Sequence, residues 1–206
     1  RPVSHTPVWF MRQAGRYMPE YRNLRKSHSI LEICKDPELA TQVTLQPIEM
    51  LGVDAAIIFA DLLLPVEPMG IKLEFLAGEG PALTPTIRSL AQIEKLNTKN
   101  GADLGYVLEA ITLVKQELAN KIPVIGFVGA PFTLASYMIE GGKSRDFTTT
   151  KLMMYEATDV WNQLMDKVCT MLVDYLKMQV NAGAQALQIF DSWVGCLSPH
   201  DYQKYI

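Results

Sequence analysis

Three cysteines, Cys34, Cys169 and Cys196, are too few and too scattered for a disulfide framework, and they lack the close spacing of a zinc site. That usage fits a reducing compartment, with the cytoplasm as the expected location. His5, His28 and His200 form no metal-ligand spacing with one another or with the cysteines. Long hydrophobic runs are missing as well. The longest apolar patch, Ala55 to Ala60, meets Asp61 and resumes only as far as Pro65, well short of the roughly 18 residues of a membrane span. No G-x-G-x-x-G or P-loop occurs, which removes the usual nucleotide signatures. No excess of base exists either: the net charge is −3, so general attraction to nucleic acid or to a membrane surface is excluded. No charged-then-apolar leader follows Arg1, so no signal peptide is expected, and the natural start is expected to lie upstream.

What the chain does have is an ordinary globular balance, 49% hydrophobic and 20% charged over 206 residues. The charge is unevenly placed. Between Arg1 and His28 stand Arg1, Arg12, Arg16, Arg22, Arg25 and Lys26 against the single acid Glu20, which leaves the remainder acidic. A local basic segment on an acidic protein suggests a local anionic ligand. Its centre, Arg12-Gln13-Ala14-Gly15-Arg16-Tyr17-Met18-Pro19, mixes cations with turn residues and reads as an anion-gripping loop following a strand. Arginine suits carboxylate recognition because its planar fork donates two parallel hydrogen bonds and stays charged. A solvated basic loop is the plain alternative.

Four apolar runs have strand length: Val8 to Met11, Ala55 to Phe59, Pro123 to Val128 and Ala184 to Phe190. Helical stretches separate them. Asp36-Pro37-Glu38 offers an N-cap and a first-turn proline for a helix that Gly52 stops and Pro47 is expected to kink. Ala102 to Asn120 keeps its apolar residues to one helical face, and a longer helix starts near Thr158 or Asp159 and ends at Gly183. Gly78 to Pro85 and Asn97 to Ala102 are expected to be loops, and Ser198-Pro199 opens a last helix.

Uniformly apolar strands alternating with helices imply an α/β protein with a parallel sheet covered on both faces. A weak echo links 52–61 with 183–192, which share glycine, alanine, isoleucine and phenylalanine at equal offsets, with Asp61 ending the first. Acids at the carboxyl ends of strands favour a (β/α) barrel over a doubly wound sheet. Four strands do not close one of eight, so the chain is read as a single, partial barrel domain over 1–206 that lacks C-terminal strands.

Asp61 lies between two apolar stretches, where a charged carboxylate needs pairing or hydrogen bonds. A functional acid and a structural cap are both open. Tyr137, in the helix after Gly129-Ala130-Pro131, offers a hydroxyl to a ligand or is an amphipathic core residue. Ser192 has no G-x-S-x-G elbow, which disfavours a hydrolase nucleophile and leaves a hydrogen-bonding role.

These motifs together resemble the uroporphyrinogen decarboxylase family. The resemblance rests on Met11-Arg-Gln-Ala-Gly-Arg-Tyr-Met-Pro-Glu-Tyr-Arg22, Thr44-Leu-Gln-Pro47, Asp54-Ala-Ala-Ile-Ile-Phe-Ala-Asp61, Gly78-Glu-Gly-Pro81, Ile125-Gly-Phe-Val-Gly-Ala-Pro131, Tyr137-Met-Ile-Glu-Gly-Gly142, and Gly183-Ala-Gln-Ala186 with Phe190-Asp-Ser192. It implies a (β/α)8 barrel, usually a homodimer, that decarboxylates the four acetates of uroporphyrinogen to give coproporphyrinogen in haem biosynthesis, with no metal or organic cofactor. By the same resemblance, Arg12 and Arg16 grip carboxylates, with Gln13, Ala14 and Gly15 as backbone contacts between them. Asp61 is the central acid, Phe59 lies among the substrate contacts, Tyr137 and Ser192 hydrogen-bond the substrate, and Arg25 adds a cation. A family histidine well beyond Ser192 has no counterpart before Ile206. Two competing readings are a related corrinoid- or zinc-dependent barrel methyltransferase and a non-catalytic tetrapyrrole carrier.

Overall fold

The computed structural model describes residues 5–76, 78–99 and 101–206; Arg1 of the basic segment and Asn100 of the anticipated loop lie outside them. In chain order the elements are α1 (Pro19–Ser27), α2 (Ile30–Lys35), α3 (Pro37–Leu51), β1 (Ala56–Ile57), β2 (Lys72–Leu76), β3 (Gly80–Thr84), α4 (Leu90–Glu94), α5 (Gly105–Leu118), β4 (Val124–Gly129), α6 (Pro131–Glu140), α7 (Thr148–Glu156), α8 (Thr158–Ala182), β5 (Ala186–Phe190) and α9 (Pro199–Tyr205). One sheet has the order β1-β4-β5, with β1 parallel to β4 and Ala56 opposite Val124. The chain is therefore α/β, as the alternation of runs implied. No helix among the described residues is long and apolar enough to cross a membrane.

Local chemistry sets several helix ends. Asp36 closes α2 and opens α3, its carboxylate accepting the Glu38 and Leu39 amides at 3.0 Å ahead of Pro37. Gly52, at φ +61°, then ends α3 in the left-handed conformation that glycine adopts without strain, and α3 runs through the buried Pro47 to reach it. Ser29 and Glu32 make a reciprocal capping box on α2. At α6 the proline sits in the first turn and Gly141, at φ +82°, caps the end; at α9 the Ser198 hydroxyl accepts the Asp201 amide.

Three expectations need correction. Val8 to Met11 is not a strand. It runs extended beside Asp54, whose amide donates to the Val8 carbonyl at 2.8 Å, and a turn from Phe10 to Gln13 then ends any ladder. Residues 78–85 are not a plain loop: β3 pairs antiparallel with β2 in register from Lys72–Thr84 to Leu76–Gly80. Alternation makes this hairpin, since Leu73 and Leu83 face the interior while Lys72 and Glu74 face water. Finally, the described residues leave part of β5 without cover, Leu187 and Ile189 being 41% and 53% exposed within them.

Two compact units result, each assembled from three sequence segments, which is why no linker was visible. The first takes residues 1–61, 105–127 and 176–188. Here α3 packs on α5 and α2, and Gln179 of α8, fully buried, donates to the Phe127 carbonyl of β4 at 2.9 Å. Gly126 lets the Gln179 head approach, because a β-carbon there would meet its Oε1 and the glutamine would have to shift. The second unit takes 62–104, 128–175 and 189–206. Its interior is aromatic: Phe132 meets Trp161 edge-on at 6.1 Å and Phe147 at 6.4 Å.

Candidate active site

Arginines can grip an anion only if the loop that carries them is held still. In the first unit, Arg12 and Arg16 are exposed, whereas Gln13 and Met18 of the same loop are buried. Gln13 is 2% exposed; its amide donates to the Ala55 carbonyl at 3.0 Å and accepts the Phe10 amide at 3.2 Å. At the far end Met18 is buried against Tyr21, Ile33 and Val43, with Ala14 packed on the same cluster. Between these pegs, the Met18 amide closes a turn onto the Gly15 carbonyl, and the Tyr17 hydroxyl donates back to the Gln13 carbonyl. Arg22 reaches the carbonyls of Arg16 and Tyr17 at 3.0 and 2.9 Å. It therefore braces the loop from inside α1.

The run of chain that Gln13 touches leads through β1 to the acid. Ala55 precedes β1, and Phe59 and Asp61 follow it, Asp61 half-buried. The Phe59 amide donates to the Thr44 hydroxyl at 2.9 Å, and its ring lies 5.6 Å from that of Tyr21. Cys34 of α2 is buried nearby. Desolvation pushes its thiol pKa far up, the Asp61 carboxylate adds to the rise, and Arg25 and Lys35 oppose it. Tyr21 is raised in the same way, mainly by burial, with Arg25 and Arg16 pulling against it. Arg16, Arg25 and Asp61 thus act on one neighbourhood. Arg25 also donates to the His28 carbonyl at the end of α1, at 2.6 Å.

Tyr137 and Ser192 belong to the second unit. Tyr137 is almost buried on α6, and its ring lies 5.7 Å from that of Trp193, which in turn lies 5.5 Å from Phe147. Ser192 is exposed, between Trp193 and Asp191. Asp191 fixes this corner: it accepts the Thr133 hydroxyl at 2.6 Å, while that hydroxyl oxygen accepts the Trp193 amide at 3.2 Å. Burial raises the Asp191 carboxyl above the ordinary range, against hydrogen bonds from Thr133 and Val194 that lower it.

The sequence matches a known family. The family model described as uroporphyrinogen decarboxylase (URO-D) matches residues 1–206. The chain belongs to the uroporphyrinogen decarboxylase family. It is 58% identical over 205 residues to the uroporphyrinogen decarboxylase of Solibacter usitatus, covering 100% of this chain and 59% of that one. To the Trichlorobacter lovleyi enzyme of the same name it is 57% identical over 207 residues, with 100% and 60% covered. The chain thus spans about three-fifths of the length of these relatives. Among solved structures, a methyltransferase from Methanosarcina mazei matches with a TM-score of 0.75 at 20% identity, over 100% of this chain and 60% of that one, a likeness of fold alone.

Within this uroporphyrinogen decarboxylase family member, the anchors Thr44, Tyr21 and Asp191 lie in the motifs that carry the resemblance, but their sequence alone assigns them no role. Thr44 and Tyr21 carry no charge that would draw attention, and Asp191 was overshadowed by its neighbour Ser192. The signal for Thr44 was its place in the Thr44-Leu-Gln-Pro47 motif, a buried hydroxyl on a helix face that needs a partner.

Proposed function

We propose that the full-length protein removes carbon dioxide from the four acetate side chains of uroporphyrinogen III, leaving methyl groups and giving coproporphyrinogen III. The observation that carries this reading is the anchored arginine loop, pegged by Gln13 to the run of chain that leads through β1 to Asp61. Family membership over residues 1–206 supports it.

Loss of carbon dioxide from an arylacetate leaves an electron pair that needs a sink. A pyrrole protonated at ring carbon is an iminium and accepts that pair, giving an exocyclic methylene that takes a proton to become the methyl group while the ring carbon releases its own, so the substrate supplies its own sink. Asp61, fixed beyond β1, is proposed to stabilise the positive charge that develops on the ring, which a preorganised carboxylate does without reorganising. Arg12 and Arg16, with the Ala14 and Gly15 backbone between them and Arg25 beside them, are proposed to hold peripheral carboxylates, so that one acetate at a time stands in reaction geometry. Tyr137 and Ser192 are the proposed hydrogen-bonding partners, and Phe59 the proposed apolar wall. A closed (β/α)8 barrel, a homodimer and a cytoplasmic setting complete the proposal; the α/β order of elements supports the first of these.

The test is anaerobic incubation of full-length protein with uroporphyrinogen, separating products by their remaining carboxylates. Coproporphyrinogen from wild type, with a loss of about 100-fold or more in kcat for Asp61→Asn, is the expected outcome. Unchanged substrate, or wild-type turnover by the Asp61 variant, would overturn it.

A further inference from the structure

We propose that Gln13 is a positioning residue that sets the reach of Arg12 and Arg16 from the β1 strand, rather than a residue that touches substrate. The inference rests on the reading of Arg12 and Arg16 as carboxylate-binding groups.

Its hydrogen-bonding groups are turned inward. The side-chain nitrogen donates to the Ala55 carbonyl at 3.0 Å and the side-chain oxygen accepts the Phe10 amide at 3.2 Å. The backbone amide donates to the Phe10 carbonyl at 3.2 Å, and the backbone carbonyl accepts from the Tyr17 hydroxyl. Only 2% of the residue is exposed. Glutamine suits the position because one planar head supplies a donor and an acceptor at the end of a two-carbon stem. Asparagine is shorter by one methylene. Glutamate lacks the donor when ionised and turns a negative charge toward a carbonyl oxygen.

The clamp matters because of what it joins. Ala55 lies directly before β1, and the same run of chain continues to Phe59 and Asp61. Gln13 sits directly after Arg12 and three residues before Arg16. The Gln13 amide head therefore ties the arginine-bearing turn to the run that leads to the acid, beside the Val8–Asp54 bonds before the turn and the packing of Met18 after it. A displacement of about 1 Å in a positioning element can cost about 100-fold in rate.

The experiment uses full-length protein, with Gln13→Met, Gln13→Glu, Arg12→Gln and the Gln13→Met/Arg12→Gln pair. KM and kcat for uroporphyrinogen are measured anaerobically, and amide hydrogen exchange is followed over residues 10–18. Gln13→Met is expected to raise KM about tenfold with a smaller loss in kcat, and Arg12→Gln to cost several-fold less in that background than in wild type, since coupled residues are not additive. Gln13→Glu is expected to acquire a new pH dependence. Its KM should approach wild type at acid pH, where a protonated carboxyl again offers a donor and an acceptor, and should rise as pH increases.

A purely structural role would lower the folded fraction, reducing apparent kcat while leaving KM, the Arg12 effect and the pH profile unmoved; that pattern overturns the proposal. Should Gln13→Met fail to fold, the pH profile of Gln13→Glu decides. Should wild type fail to turn over uroporphyrinogen, the functional reading falls, and hydrogen exchange decides the clamp by itself. Exchange at least tenfold faster over residues 10–18, with α3 unchanged, supports it, and unaltered exchange overturns it.

Discussion

The Thr44 hydroxyl takes the Phe59 amide proton at 2.9 Å while giving its own proton to the Ala40 carbonyl at 2.7 Å. One buried oxygen thereby ties the middle of α3 to the chain just beyond β1. Thr44→Val keeps the shape and removes both bonds, leaving the Phe59 amide unpaired. A loss of about 1–3 kcal/mol is expected in denaturant unfolding of the full-length protein. A loss below experimental error would show that another acceptor replaces the hydroxyl.

Arg22 braces the loop through the carbonyls of Arg16 and Tyr17, and it does so from an exposed position. Arg22→Met should therefore leave the thermal midpoint almost unmoved and yet speed hydrogen exchange at residues 16–18 several-fold. Equal exchange in the two proteins would assign the bracing to Met18 alone.

Cys34 predicts a pH effect whose sign is fixed. Its folded thiol is held protonated well above the ordinary value, first by burial and then by Asp61. Above about pH 8.5 the unfolded chain loses that proton and the folded one keeps it, so fewer protons are bound on unfolding and stability falls as pH rises. The slope from this one group approaches about 1.4 kcal/mol per pH unit and is absent at neutral pH. Denaturant titrations at pH 8, 9 and 10 should show Cys34→Ala losing part of the decline that wild type shows. Parallel curves would argue that the unfolded thiol is also shielded.

Thr133 donates to Asp191 and accepts from Trp193, so Thr133→Val strips a carboxylate of a charge-assisted bond and frees the Trp193 backbone. A cost of about 1.5–3 kcal/mol is expected, with a shift in tryptophan emission as the Trp193 ring leaves Tyr137 and Phe147. Unchanged emission at reduced stability would place the loss in α6 instead.

Helix boundaries were legible because single residues carry them: Asp36 with Pro37, Gly52, Gly141, Gly183 and Ser198 each act within a turn of the position they mark. The β2–β3 hairpin was not, since Gly78-Glu-Gly-Pro81 reads as a loop until the alternation of Leu73 and Leu83 is set against it. Val8 to Met11 misled in the opposite direction, apolar enough for a strand but folded away by the turn at Gln13. Of the site, the arginines announced themselves by charge. Which loop residue turns inward did not, because the partner of Gln13 lies 42 residues away and no local pattern encodes it. The motif around Thr44 was visible in order but mute in reason, for the same cause.

Each unit draws on three separated stretches of chain, which imposes a schedule on synthesis. A ribosome delivers residues 1–61 early, yet their partners at 176–188 emerge only near the end of this stretch, and residues 62–104 likewise wait for 189–206. Neither core can close as its first segment appears. Until β4 emerges, the apolar run from Ala55 to Phe59 lacks its strand partner, a state in which holding chaperones act. Contacts so distant along the chain also make closure slow relative to a helical bundle of equal size.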